Sequence, residues 1–348
     1  MVKSYDNERL FSMYPNKTGA VVSEEYRISV KTNDYGYRQI LDSDDEYPIA
    51  VLGDSFTEGW GVAESESFVT IANEGLNQQF KIRNLGIHGA SPVFYLLQLP
   101  YVIENFSPKV IVLQLFDNDL DDNEKLARFM KFEDDFVKPK PDMSVILLGS
   151  SISNWIKESS LYRLVKKINF AIRKQPNPIL YYKPGKEPHV DLITHEQSLI
   201  KYGKLAPIGN EISTKYSGQF EFYSEKNKEL WQERLTKNGS YLNQILSLCK
   251  VNGIELRLLY VPAKEFYANT GILGDAKKRN YDDFAIRNPH LQQIDNFCKI
   301  NKIVCYNTAK LLFDKDPESL YFPYDAHWNQ AGHKMVGDIL AKTIAPEI

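Results

Sequence analysis

Pro48-Ile49-Ala50-Val51-Leu52-Gly53-Asp54-Ser55-Phe56-Thr57-Glu58-Gly59-Trp60-Gly61-Val62 is the stretch from which the rest of the chain can be organised. Its apolar run, Ile49 to Leu52, shows no alternation, the pattern of a strand buried on both faces of a parallel sheet. The run breaks at Gly53-Asp54-Ser55, and glycines follow at 59 and 61. A serine at the end of a central parallel strand stands at the sheet edge where open α/β folds place their ligand crevices. Two readings of Ser55 are open here: the N-cap of a following helix, or a nucleophile. A phosphate-cradling loop is excluded, because no Gly-Lys-Ser/Thr follows, and the glycines do not make G-x-G-x-x-G.

Outward from this stretch, the alternation of strands and helices predicts a parallel sheet. Phe68, Ile71, Ala72 and Leu76 recur at helical spacing, which predicts a helix over 66–79. A strand over 81–85 leads to Gly86-Ile87-His88-Gly89, and a helix opens at Pro92 and runs to about Asn105. The run Val110 to Phe116 is a third buried strand, ending in Asp117-Asn118-Asp119. After it the alternation lapses until 224. Helical sequence over 225–251, broken near Asn238-Gly239, then precedes a buried strand over 255–261, a helix over 291–300 and a short strand over 303–306. A C-terminal helix follows Phe322 to His333 and carries Met335, Val336, Ile339 and Leu340.

This pattern divides the chain into an N-terminal arm (1–47), a main domain (48–124 and 224–348) and an inserted cap (125–223). The cap is too long for a plain loop. It contains one amphipathic helix, built on Leu161, Leu164, Val165, Ile168 and Ile172, with Lys166, Lys167, Arg173 and Lys174 on its basic side.

A net charge of −3 over 348 residues, 43% of them hydrophobic, describes a globular chain without the electrostatic footprint of a nucleic-acid binder. No stretch reaches the length of a membrane span, and the first residues lack the apolar segment of a signal peptide. The expected location is cytoplasmic if Met1 is the native start, or extracytoplasmic if an anchor or leader has been removed. Cys249, Cys298 and Cys305 are an odd set without a C-x-x-C pair, so reduced thiols are expected and a zinc site is not. Asp117, Asp119 and Asp121 alternate as in a calcium loop. The glycine and glutamate such a loop needs are replaced by Asp122 and Arg128, so no metal is expected there.

Serine nucleophiles need a base, a carboxylate to orient it and donors for the oxyanion. Ser55, Gly89 and Asn118 follow the first three strands, and Asp325 and His327 follow the last, so all five project toward one edge of the sheet. His88 and Asp117 flank this set and are candidate substrate contacts. His333 is read as a capping or packing residue, and His189, His195 and His290 as surface residues.

The ordered set resembles the SGNH hydrolases, the GDSL-like esterases and lipases, in their bacterial form. The matching blocks are G-D-S-F at 53–56, N-L-G-I-H-G at 84–89, F-D-N-D at 116–119 and D-A-H-W-N-Q-A-G-H at 325–333. The arm's T-N-D-Y-G-Y-R, 32–38, is similar to a piece that precedes the serine block in bacterial members. The resemblance implies a flavodoxin-like three-layer α/β/α sandwich. By motif position it assigns Ser55 as nucleophile, His327 as base, Asp325 as its orienting carboxylate, and the N–H groups of Ser55 and Gly89 with the Asn118 amide as the oxyanion hole. It implies no cofactor. The expected reaction is removal of a small acyl group, acetyl above others, from a carbohydrate or related hydroxyl through an acyl-enzyme. The substrate would be a small-molecule or polysaccharide ester. O-acyl transfer by the same residues is the alternative, and a non-catalytic carbohydrate-binding protein a more distant one. Phe56 in place of leucine, Asp117 in place of glycine, and D-x-H in place of D-x-x-H are the departures from the family pattern.

Overall fold

The computed structural model describes residues 3–6, 9–22, 25–39, 47–76, 81–133, 136–140, 228–264, 281–313, 315, 317–322 and 325–344. The cap helix expected around Leu161 to Ile172, with its basic side, lies outside the described residues, as do His189 and His195.

A five-stranded sheet, parallel at every pairing, forms the centre. In chain order its strands are β5 (Ile49–Gly53), β6 (Ile82–Gly86), β7 (Val110–Phe116), β10 (Glu255–Val261) and β11 (Cys305–Asn307). They lie side by side as β6, β5, β7, β10, β11. Counted within the sheet this is 2-1-3-4-5, the flavodoxin-like order, whose switch point falls between the first and third strands. Every residue of β5 and of β7 is buried, as the unbroken apolar runs at 49–52 and 110–116 predict.

The helices make the outer layers. α2 (Phe68–Gly75) packs on α9 (Gln330–Ile344), while α3 (Pro92–Phe106) and α4 (Asp119–Ala127) pack with α5 (Lys228–Val251), which also meets α7 (Pro289–Asn301). Short helices α1 (Ser55–Glu58), α6 (Tyr281–Arg287) and α8 (Thr308–Leu312) fill the connections.

Two expectations are corrected, and the arm and the start of the cap carry strands that the sequence did not mark. The break at Asn238-Gly239 does not occur, and α5 runs through it. Asn238 is buried and accepts a hydrogen bond from Asn123 at 2.9 Å while donating to Gln293 at 2.8 Å, so tertiary bonds override the weak local propensity. The arm is structured as two antiparallel pairs, β1 (Lys3–Asp6) with β2 (Leu10–Met13) and β3 (Thr18–Val22) with β4 (Arg27–Lys31). A further hairpin, β8 (Met130–Glu133) with β9 (Phe136–Pro139), follows α4. Cys298 and Cys305 form a disulfide between the α7 terminus and β11, leaving Cys249 as a buried free thiol.

Candidate active site

β5 delivers the serine. Asp54, not Ser55, is the N-cap of α1: its Oδ1 accepts the Phe56 N–H at 2.9 Å, which leaves the Ser55 hydroxyl uncommitted to the helix. Gln114, from the neighbouring β7, fixes the turn by accepting the Asp54 N–H at 3.0 Å and the Thr57 hydroxyl at 2.9 Å. Gly59 ends α1 in the left-handed region, φ 83°, and Gly61 repeats that conformation at φ 86°; this turns the chain tightly back past the serine.

The histidine arrives from the other end of the chain. A bridge between Tyr321 and Trp328 and the bond from Phe322 N–H to His327 O, 2.8 Å, pin a tight loop, in which Ala326 sits at φ 64°. His327 Nε2 lies 2.7 Å from Ser55 Oγ, and its Nδ1 is bonded to Asp325 Oδ1. Phe56 packs its ring 4.9 Å from that of His327 and 5.0 Å from that of Trp328, so the imidazole is seated on the helix that carries Ser55.

Ionisation follows from these contacts. Burial pulls His327 down, but the bond to Asp325 and the charges of Asp325 and Asp54 outweigh it, and the histidine is raised above its ordinary value. Burial pushes Asp325 up, yet the hydrogen bond and charge of His327, with Tyr26 and Trp60, hold it below the usual carboxylate range. Asp54 is pushed up by burial to about 7. A neutral imidazole bonded to Asp325 through Nδ1–H presents its Nε2 lone pair to the Ser55 hydroxyl, an arrangement able to take up its proton.

Gly89 and Asn118 stand beyond the C-terminal ends of β6 and β7, the two strands that flank β5. Gly89 takes φ 70°. Asn118 caps α4, and one amide hydrogen goes to Asp122 Oδ2 at 2.9 Å. The second is left to point elsewhere. The Ser55 N–H, at the first position of α1, is one of the donors that a helix leaves without an intrahelical partner.

The flanking candidates part company. His88 is partly exposed, and Glu58 Oε2 accepts its N–H at 2.7 Å and bonds its Nδ1 at 2.8 Å. Trp60 lies beside it, ring centroids 5.1 Å apart, and 6.2 Å from His327. Asp117 as a substrate contact is corrected. It is fully buried, accepting the Tyr260 hydroxyl at 2.8 Å, the Ala263 N–H at 2.9 Å and the Asn288 amide at 3.0 Å, so it ties β7 to β10 and α7. His290 is likewise buried, 3.7 Å from Asp117, and is not a surface residue. His333 is buried on α9, where its Nδ1 accepts the Phe68 N–H at 3.2 Å.

Sequence reading missed the arm's share in the site. Tyr26 donates its hydroxyl to Asp325 Oδ2 at 2.7 Å, and Glu25 accepts the Asp325 N–H at 2.6 Å. Buried Arg38 donates to the carbonyls of Glu58, Gly59 and Val62, clamping the loop that carries Trp60. Arg38 lay in the T-N-D-Y-G-Y-R motif, a signal that could have been followed inward. No local pattern marks Glu25 or Tyr26.

No family model matches the chain, and no curated protein matches it. Among solved structures, an acetyl xylan esterase, AlAXEase, is 12% identical over 85% of this chain and 99% of its own, with a TM-score of 0.43. The psychrotrophic esterase EstA from Pseudoalteromonas sp. is 11% identical over 86% and 97%, TM-score 0.41. A lipolytic protein of the G-D-S-L family from Desulfitobacterium hafniense DCB-2 is 12% identical over 84% and 97%, TM-score 0.38. The flavodoxin-like fold follows from the strand order of the chain itself.

Proposed function

We propose that the protein is a serine hydrolase of the SGNH type that cleaves esters, with a small acyl group such as acetyl on a carbohydrate hydroxyl as its substrate class. The observation that carries the proposal is the Ser55–His327–Asp325 line, with Oγ and Nε2 2.7 Å apart. In the reaction, Ser55 Oγ bonds to the ester carbonyl carbon as its proton passes to His327 Nε2, and Asp325 stabilises the imidazolium. Negative charge on the carbonyl oxygen is met by the Ser55 and Gly89 N–H groups and the Asn118 amide. The C–O bond to the alcohol then breaks, with the His327 proton going to the leaving oxygen. Water repeats the sequence on the acyl-enzyme: it gives a proton to His327, its oxygen bonds to the acyl carbon, and the proton returns to Ser55 as the acid leaves.

The sugar alcohol is supported by Trp60, a partly exposed ring between His88 and His327 against which a pyranose face could stack. The test is labelling with a fluorophosphonate, which only an activated serine accepts. Ser55 should carry the label, and Ser55→Ala should lose both labelling and hydrolysis of acetylated sugars. Label on another residue, or undiminished hydrolysis by the variant, would refute the assignment. Free acid as the product supports hydrolysis; an acylated second sugar would place the chain among transferases instead.

A further inference from the structure

Only Ala326, held at φ 64°, separates Asp325 from His327, so both side chains leave one tight turn. Asp325 is also bonded to residues about three hundred positions earlier, where the chain enters β4. Glu25 accepts the Asp325 backbone N–H, and the Tyr26 hydroxyl takes Oδ2, the oxygen that His327 does not use. The Tyr26 ring is itself buried, 4.9 Å from Phe322 and packed with Val62, so its hydroxyl has a fixed origin. Trp60 adds a weaker pull on the same carboxylate.

We propose that Tyr26 is a positioning residue of this site: by holding Asp325 Oδ2 it turns Oδ1 to His327 Nδ1 and sets the pH at which His327 becomes a base. The inference rests on the esterase reading above. A donor to Oδ2 withdraws charge from the carboxylate, weakens its hold on an imidazolium and keeps His327 less basic than Asp325 alone would make it. The charged and titratable groups around the pair are Glu25 at the Asp325 N–H, Asp54 and His333, whose charges act on or with His327, His88 across the Trp60 ring with its partner Glu58, Lys264 on the Phe322 carbonyl and Arg38 behind the Gly59 to Val62 loop. None of them is changed by the substitutions below.

The experiment measures kcat/KM for p-nitrophenyl acetate against pH in the wild type, in Tyr26→Phe and in protein carrying 3-fluorotyrosine at position 26, which keeps the ring and hydroxyl but donates more strongly. Tyr26→Phe should lower kcat/KM about tenfold through kcat and move the acid limb up by about half a unit. Fluorotyrosine should move the same limb down. A limb that stays in place in both proteins overturns the inference even if the rate falls, because a purely structural role for Tyr26 changes amplitude and not pKa. Failure of the esterase reading looks different: the wild type would neither hydrolyse the ester nor take a fluorophosphonate at Ser55.

Discussion

Two buried groups should make the stability of this fold respond to acid in opposite senses. His333 accepts the Phe68 N–H through Nδ1, and its Nε2 is buried, so protonation would break one bond and strand a charge. Burial lowers it from an ordinary 6.5 to about 3. Above pH 6.5 the histidine is neutral in both states; as pH falls from there toward about 3, the unfolded chain gains a proton that the fold refuses, and stability is lost. Asp54 runs the other way. Raised from 3.8 to about 7, it is protonated in the fold before it is in the unfolded chain, so its contribution is present at low pH and lost as pH rises through about 7. Between pH 7 and 4.5 the expected change is on the order of 2–3 kcal/mol for each group, a loss through His333 and a gain through Asp54. The two oppose each other in the wild type. They should separate in single variants followed by urea denaturation across that pH range. Relative to the wild type, His333→Gln, which keeps an acceptor for Phe68, should become more stable on acidification, and Asp54→Asn, which keeps the helix cap, should become less stable. Parallel pH profiles for the two variants would refute the reasoning.

Two further outcomes follow from the site. Asn118→Ala should lower kcat by about 10²–10³ with little change in KM, the signature of a lost oxyanion donor; a change confined to KM in steady-state assays would make Asn118 a substrate-binding residue. Arg38→Met should cost about 3–5 kcal/mol in chemical denaturation, because three carbonyls and buried Glu58 lose their cation together; a loss under about 1 kcal/mol would show that water replaces the guanidinium.

The core of the sheet was legible in sequence because β5 and β7 are buried on both faces and therefore carry no polar residues except Gln114, which has its own bonding role. Ser55 and His327 were legible because each follows a strand or precedes a helix whose boundaries glycine and polar residues mark. Tyr26 was not, because a tyrosine donating to a carboxylate 299 residues away leaves no trace in its own neighbourhood. Asp117 misled for a related reason: a carboxylate at a strand end looks catalytic until Tyr260, Ala263 and Asn288 are seen to surround it. The Asn238-Gly239 pair was read by local propensity, and it is the long-range bonds of Asn238 that keep α5 continuous.

The span between Ser55 and His327, 272 residues, also has a meaning in time. At ribosomal rates of about 5–20 residues per second, the serine would leave the ribosome on the order of ten to fifty seconds before the histidine is made. During that interval β5, β6, β7 and α3 can pair from sequence already present, but α2 still waits for α9, and the Phe68 N–H for His333. The nascent chain therefore carries Ser55 before His327 exists to meet it. Acquisition of activity during synthesis should come as one late step, coincident with the docking of α9 rather than with formation of the sheet.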